Sequence, residues 1–244
     1  MILYDGPSML DGAPIIVVAT INSKNPKADM VQTWILRKDM SPREASALKL
    51  DSSVCGGCMH RHSLGGACYV QLWQAPRQVY ASYLAGNYDK PGNIRAVSRA
   101  LATQEIRLGS YGDPAAVPFH VWESLLAQSC GGWTGYTHQW RTCDPEFAGI
   151  VMASCDSPED VKLARSMGYR AFYVRPEGAI SKNVDKVADV ALITCRAKVD
   201  DNVTCSTCLA CDGTRAGSKA LTAASVQIEV HGNMRKKFAL PVVQ

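Results

Sequence analysis

Apolar positions along the chain follow two rhythms. Short apolar blocks bounded by turn residues read as strands at Pro14–Ile21, Val31–Arg37, Glu105–Gly109, Trp133–His138, Gly149–Ser154, Arg170–Arg175, Val187–Thr194 and Ser225–Val230. Between them the spacing changes to that of amphipathic helices. Ser41-Pro42-Arg43-Glu44 has the form of a capping box with proline at the first helical position. Gln74 to Ala85 predicts a helix with Val79, Tyr80, Tyr83 and Leu84 on one side and Gly86 as its stop. Pro91 predicts the start of another, with Ile94, Val97 and Leu101 inward. Pro114 to Gln128 predicts a third, burying Val121, Leu125 and Trp122. Ser157-Pro158-Glu159-Asp160 opens a helix carrying Val161, Ala164 and Met167, closed by Gly168.

The run FAGIVMAS, a capped helix and then YRAFYVR is a β-α-β unit of the parallel type. Several such units in series predict an α/β fold with a parallel sheet. The expected architecture is an irregular or incomplete TIM-barrel-like (β/α) barrel, because eight strand candidates suit a barrel while some intervening helices are missing. Between His138 and Phe147 there is no room for a full crossover helix. An open doubly wound parallel sheet is the alternative. With no linker, repeat or low-complexity tract, residues 1–244 read as one domain with cysteine-rich segments at 55–68 and 195–211.

Composition adds a cofactor to this picture. The chain has 244 residues, 47% hydrophobic and 20% charged, enough to bury roughly 70–75% of its unfolded surface without staples. Its ten cysteines are too sparse for a disulfide scaffold, and the amino-terminal stretch has no basic n-region, so a reducing cytoplasm is expected. The longest early apolar run, Ala13 to Ile21, is too short to span a bilayer, so no membrane partner is expected. Net charge is +4, and Arg235-Lys236-Lys237, the one basic cluster, reads as a solvated segment rather than a nucleic-acid footprint.

Seven of the cysteines fall in two groups. Cys195, Cys205, Cys208 and Cys211 include a doubled Cys-x-x-Cys, whose tight spacers aim successive thiolates into one small volume. Four thiolates suit a [4Fe–4S] cluster or a structural zinc, and consecutive turns fit the cluster better than the separated pairs of a zinc site. Cys55, Cys58 and Cys68 form the second group. Three thiolates could hold a cubane with one iron left open for substrate, or a zinc completed by His60 or His62, or they could converge with the first group on one composite site. The expected cofactor is therefore one [4Fe–4S] cluster or two, with zinc as the alternative. The spacing is not that of radical-SAM enzymes. Cys130, Cys143 and Cys155 stand alone and read as ordinary small side chains.

Ligands of parallel α/β folds bind at the carboxyl ends of strands. Asp113, His138, Arg141, Asp156 and Arg175 all follow expected strands, and Cys195 ends one, so they are expected around one mouth. Asp113, His138 and Arg141 are the candidate catalytic residues. Each could instead serve as a cap or a loop ion pair, Asp156 as the cap of the helix after it. Tyr136 and Trp140 read as packing residues. No phosphate-binding loop, GxSxG elbow or HExxH helix is present, which removes support for nucleotide hydrolysis or serine-hydrolase chemistry.

The order CxxC…CY, RLGSYGD, GYTHQWR, VMASCDSPED with GYRAFYVR, C…CxxCxxC and VQIEVHG resembles a family of uncharacterised phage and prophage proteins. It is similar in layout to the phage group called gene product eighty-eight. The resemblance spans roughly Asn22 to Gly232. It implies a phage gene product in the bacterial host cytoplasm and no particular activity, and it adds weight to Asp113, His138, Arg141 and His231. Relatives read Cys-Pro-Ala where this chain has Cys195-Arg196-Ala197, which keeps the thiol and changes the local backbone. The functional expectation is an iron–sulfur enzyme acting on a small molecule, a nucleotide or a nucleic acid. The alternatives are a zinc- or cluster-stabilised module that binds host protein or DNA, and a redox sensor.

Overall fold

The computed structural model describes residues 1–21, 29–89, 94–214, 224–233 and 235–238. The described chain begins with strands β1 (Ile2–Pro7), β2 (Pro14–Thr20) and β3 (Val31–Arg37). Helices α1 (Pro42–Ala47), α2 (Ser52–Cys55), α3 (Ala75–Leu84) and α4 (Ile94–Ala100) lead to β4 (Ile106–Tyr111). Helix α5 (Phe119–Leu126) connects to β5 (Trp133–Thr137), a 3-10 turn at Pro145–Gly149 to β6 (Met152–Cys155), and α6 (Pro158–Ser166) to β7 (Ala171–Arg175). The hairpin β8 (Val184–Val187) and β9 (Val190–Thr194) follows, then α7 (Arg196–Val199), α8 (Cys205–Cys208) and β10 (Ser225–Glu229).

The fold is α/β, built on one ten-stranded sheet in the order β1-β2-β3-β4-β5-β6-β7-β10-β9-β8. From β3 through β7, β10 and β9 every pairing is parallel. The pairings β1/β2, β2/β3 and β8/β9 are antiparallel. The sheet does not close, and β1 and β8 form its edges. Because the inner strands are parallel, their carboxyl ends share one rim.

Alternation along the strands gives the two faces different partners. Ile35, Leu108, Val151, Ala153, Ala171 and Leu192 belong to the main core with Trp122, Leu125, Val161 and Ala164 of the helices. The opposite face carries Tyr136, Met152, Phe172, Val226 and Ile193 from neighbouring strands, and Cys195 and Cys211 pack on it. The cysteine-rich carboxyl-terminal segment thus takes the place that a second helix layer would occupy.

The main departures from the expected elements have local causes. Residues 114–128 split into a 3-10 turn at Pro114–Ala116 and α5, because Val117, held extended before Pro118 (φ −111°, ψ 139°), cannot stay helical. The expected strand Val187–Thr194 is the end of β8, a turn and β9; Ala188 and Asp189 take φ of 47° and 65° without any glycine. The block at 149–154 becomes strand only from Met152. Strand β1 was not expected. The capping box at Ser41 forms with both of its hydrogen bonds, whereas Leu84 and Met167 end up exposed. Pro91 lies outside the described residues.

Candidate metal centre

The segment after α2 is folded back on itself by buried polar contacts. Asp51 accepts hydrogen bonds from the Ser63 amide (3.0 Å) and hydroxyl (2.5 Å) and faces the Arg61 guanidinium at 3.4 Å. The Cys68 amide donates to the His60 carbonyl at 2.9 Å. Gly66 passes so close to this carbonyl that a Cβ there would meet His60 backbone atoms at 2.5 Å, which only glycine avoids. From the loop after β5, Gln139 donates to the Cys55 carbonyl (3.3 Å) and accepts from the Gly57 amide (3.1 Å), clamping both sides of Gly56. These contacts gather Cys55, Cys58 and Cys68 above the carboxyl ends of β3 and β4. Burial, then the neighbouring thiols, holds the Cys55 pKa well above its ordinary value. Burial likewise moves Cys68 up to about 11.

Three strand-end residues surround this thiol group. Asp113 follows β4 and is buried. Its carboxylate accepts from the Thr137 hydroxyl (2.7 Å), the His138 amide (2.8 Å) and the Ala115 amide (3.0 Å). Burial raises its pKa against the pull of these donors. His138 follows β5 and Asp156 follows β6. Asp156 Oδ1 lies 2.8 Å from His60 Nε2, and Oδ2 lies 3.6 Å from His138 Nε2. Burial opposes the charged forms of both His138 and Asp156. Its neighbours Cys58 and Asp156 outweigh it at His138, whose pKa stands well above the usual imidazole value. The two histidines outweigh it at Asp156, whose pKa is depressed. The His60 ring meets His138 edge-on at 5.9 Å and stacks on Phe238 at 5.3 Å.

The carboxyl-terminal cysteines are seated on the other face of the sheet. Cys205 and Cys208 bracket α8, which Thr204 and Thr207 cap reciprocally. Leu209, at φ 49°, turns the chain so that Cys211 comes down on β5, where its carbonyl accepts from the Gly135 amide at 3.0 Å. Arg170, buried at the start of β7, fixes this loop. It donates to Asp212 Oδ1 (2.8 Å) and to the carbonyls of Gly213 (3.0 Å), Ala210 (2.8 Å) and Ala224 (3.0 Å). The Cys195 amide donates to the Gln227 carbonyl at 2.8 Å, prolonging the β9/β10 ladder. Burial raises the Cys195 pKa and carries Cys211 up to about 12.

The two cysteine groups are joined by side chains. Tyr69, next to Cys68, accepts a 2.6 Å hydrogen bond from the Arg107 guanidinium on β4. After Tyr69, the titratable groups that act on Arg107 are Tyr136, Cys205 and Cys211. His231 stacks on Tyr69 at 5.7 Å, and burial lowers its pKa.

No family model, curated protein or solved structure matches the chain.

Of the strand-end residues picked from the sequence, Asp113, His138 and Asp156 come together. Arg141 instead lies 3.9 Å over the Trp140 ring and pairs with Asp160. Arg175 is engaged by Asp185 (3.0 Å) and Gln227 (2.9 Å). His62 Nε2 lies 2.6 Å from the Val70 carbonyl. Cys155 is buried, Cys143 is 3.4 Å from the Tyr169 hydroxyl, and Cys130 is exposed. A cleft of about 830 Å³ opens behind Gly56 and Gly57, between Asp11, His120, Gln139 and Asp144. Sequence reasoning missed Arg170, Gln139 and Arg107, which have no local signal. It also missed His60 as a partner of Asp156, 96 residues away.

Proposed function

We propose that this chain is an iron–sulfur protein, with a [4Fe–4S] cluster on Cys195, Cys205, Cys208 and Cys211. A second cluster on Cys55, Cys58 and Cys68 would keep one iron free of protein thiolate. The donor set supports clusters over zinc. Cys205, Cys208 and Cys211 follow one another at two-residue spacers, which fits a cubane better than the separated pairs of a zinc site. The clusters would supply electrons and, at the open iron, a binding point.

The observation that carries an enzymatic reading is the meeting of the Cys55–Cys58–Cys68 group with His138, beside Asp156 and His60, at the carboxyl ends of parallel strands. In this reading His138 stands next to the open iron as a polar group facing the substrate. Asp113 positions His138 through its amide, and Arg141 stiffens the following loop through Trp140 and Asp160. Arg107, Tyr69 and His231 line the route between the two groups. The finer fold assignment is part of the same reading: β3 to β7 follow in sequence order, as in an incomplete (β/α) barrel opened on one side. The phage resemblance points to the bacterial cytoplasm, and a nucleotide or nucleic acid is the substrate that a phage context suggests.

A second reading, a zinc- or cluster-stabilised module that binds host protein or DNA, is favoured by one observation. The Asp113 carboxylate and one guanidinium nitrogen of Arg141 are already committed to the scaffold. Anaerobic purification tests both readings. The enzyme reading expects a brown protein with iron, acid-labile sulfide and an EPR signal after reduction. A colourless protein holding zinc alone would overturn it and leave the binding module.

A further inference from the structure

Among the described residues, one set of three ligand atoms from different residues falls within 4.8 Å of one another, and it contains no thiol: His60, His138 and Asp156. Each comes from a different part of the fold, His60 from the loop closed by Gly66 and Cys68, His138 from the end of β5, and Asp156 from the end of β6. Both imidazoles turn Nε2 toward the same carboxylate, at 2.8 and 3.6 Å. Ligands at about 2.0–2.2 Å from one ion stand apart by distances in this range.

A second observation points the same way. His138 Nε2 is shut off from solvent and lies beyond hydrogen-bond distance of any acceptor or donor, with Asp156 Oδ2 at 3.6 Å. Burying a polar nitrogen without a hydrogen bond is costly, and a metal ion at that point removes the cost. The backbone around the set is fixed in advance. The Asp113 carboxylate holds the His138 amide, and the Cys68 amide holds the His60 carbonyl. Phe238 stacks on His60 and shields it.

We propose that His60, His138 and Asp156 bind one divalent metal ion of the iron(II) or manganese(II) type, distinct from whatever the cysteines hold. Two imidazoles and one carboxylate on one side of an ion leave positions open for water or substrate, and this donor set suits those ions. The site does not rest on the cluster reading, although Cys58 lies beside His138 and would bring the two centres together.

Manganese(II) is the probe, because carboxylate and imidazole accept it and thiolate does so poorly. Anaerobically purified full-length protein is titrated with manganese(II), and the free-ion EPR signal is followed. One ion should bind per chain, and pulsed EPR should detect nitrogen couplings from two imidazoles. His60→Ala should remove one coupling and weaken binding by about tenfold or more. Asp156→Asn should weaken binding as strongly, while iron and sulfide content stay at the wild-type level in both variants. Absence of binding, bound manganese without nitrogen coupling, or unchanged binding in both variants would overturn the site. The wild-type couplings stand as a test even if a variant does not fold. Iron and sulfide content reports on the cysteines separately, so either idea can fail alone.

Discussion

At the scale of single residues, the site depends on groups that never need to touch a ligand. Asp113 is the clearest. Its carboxylate takes a hydroxyl and two amide donors, which ties the turn after β4 to the end of β5. In Asp113→Asn an amide N–H replaces an acceptor and faces a backbone donor. The loss should be about 1–3 kcal/mol, read as a lower denaturation midpoint at unchanged slope. The pH dependence has a definite sign. Burial raises the folded-state pKa of Asp113 above its unfolded value, so ionisation of this group opposes folding. Its contribution improves as pH falls through the folded value, and that component should vanish in Asp113→Asn. Gly66 is the second case. Gly66→Ala puts a methyl group 2.5 Å from the His60 backbone and must displace His60 or Cys68. The expected result is loss of metal from the Cys55–Cys58–Cys68 group with near-normal content at the carboxyl-terminal group, measured by iron analysis and EPR. Equal occupancy of both groups would mean that the loop tolerates the shift.

At the scale of elements, strands and helices differ in how much of them a sequence reveals. Helices that begin with a capped proline, such as α1 and α6, and strands β2, β3 and β7 were legible because cap chemistry and apolar blocks act locally. The β8–β9 turn was not, since Ala188 and Asp189 adopt positive φ without glycine. Strand β1 was also hidden, because its Asp5-Gly6-Pro7 end reads as a turn. For the site, the cysteine groups and the strand-end placement of His138 and Asp156 were legible. What brings them together was not, since the contacts of Arg170 and Gln139 exist only once the sheet has formed. Arg170 gives the prediction at this scale. It satisfies three carbonyls and a carboxylate around the Cys211 loop, and Arg170→Met leaves these partly buried acceptors without their donor. The expected cost is about 3–5 kcal/mol. Metal content at the carboxyl-terminal cysteines should fall before the sheet melts, so EPR of that centre should be lost at a lower temperature than far-ultraviolet circular dichroism.

At the scale of the whole molecule, the sheet brings two cysteine groups far apart in sequence to either end of one side-chain bridge, Tyr69 and Arg107. The guanidinium is hydrogen-bonded to Tyr69 and sits beside Cys205 and Cys211. A positive charge there would stabilise the reduced, more negative state of the cluster proposed on those cysteines. Arg107→Gln should therefore lower the midpoint potential of the carboxyl-terminal centre by on the order of tens of millivolts, read in an EPR redox titration. Tyr69→Phe keeps the charge and loses only the hydrogen bond, so its shift should be smaller. The same centre should load more readily as pH rises. Burial keeps Cys195 protonated at neutral pH, with Cys211 up to about 12, so metal must displace those protons and binding strengthens toward alkaline pH. A carboxyl-terminal potential unmoved by Arg107→Gln would mean that the bridge serves packing alone, and the two groups would then act as independent centres on one scaffold.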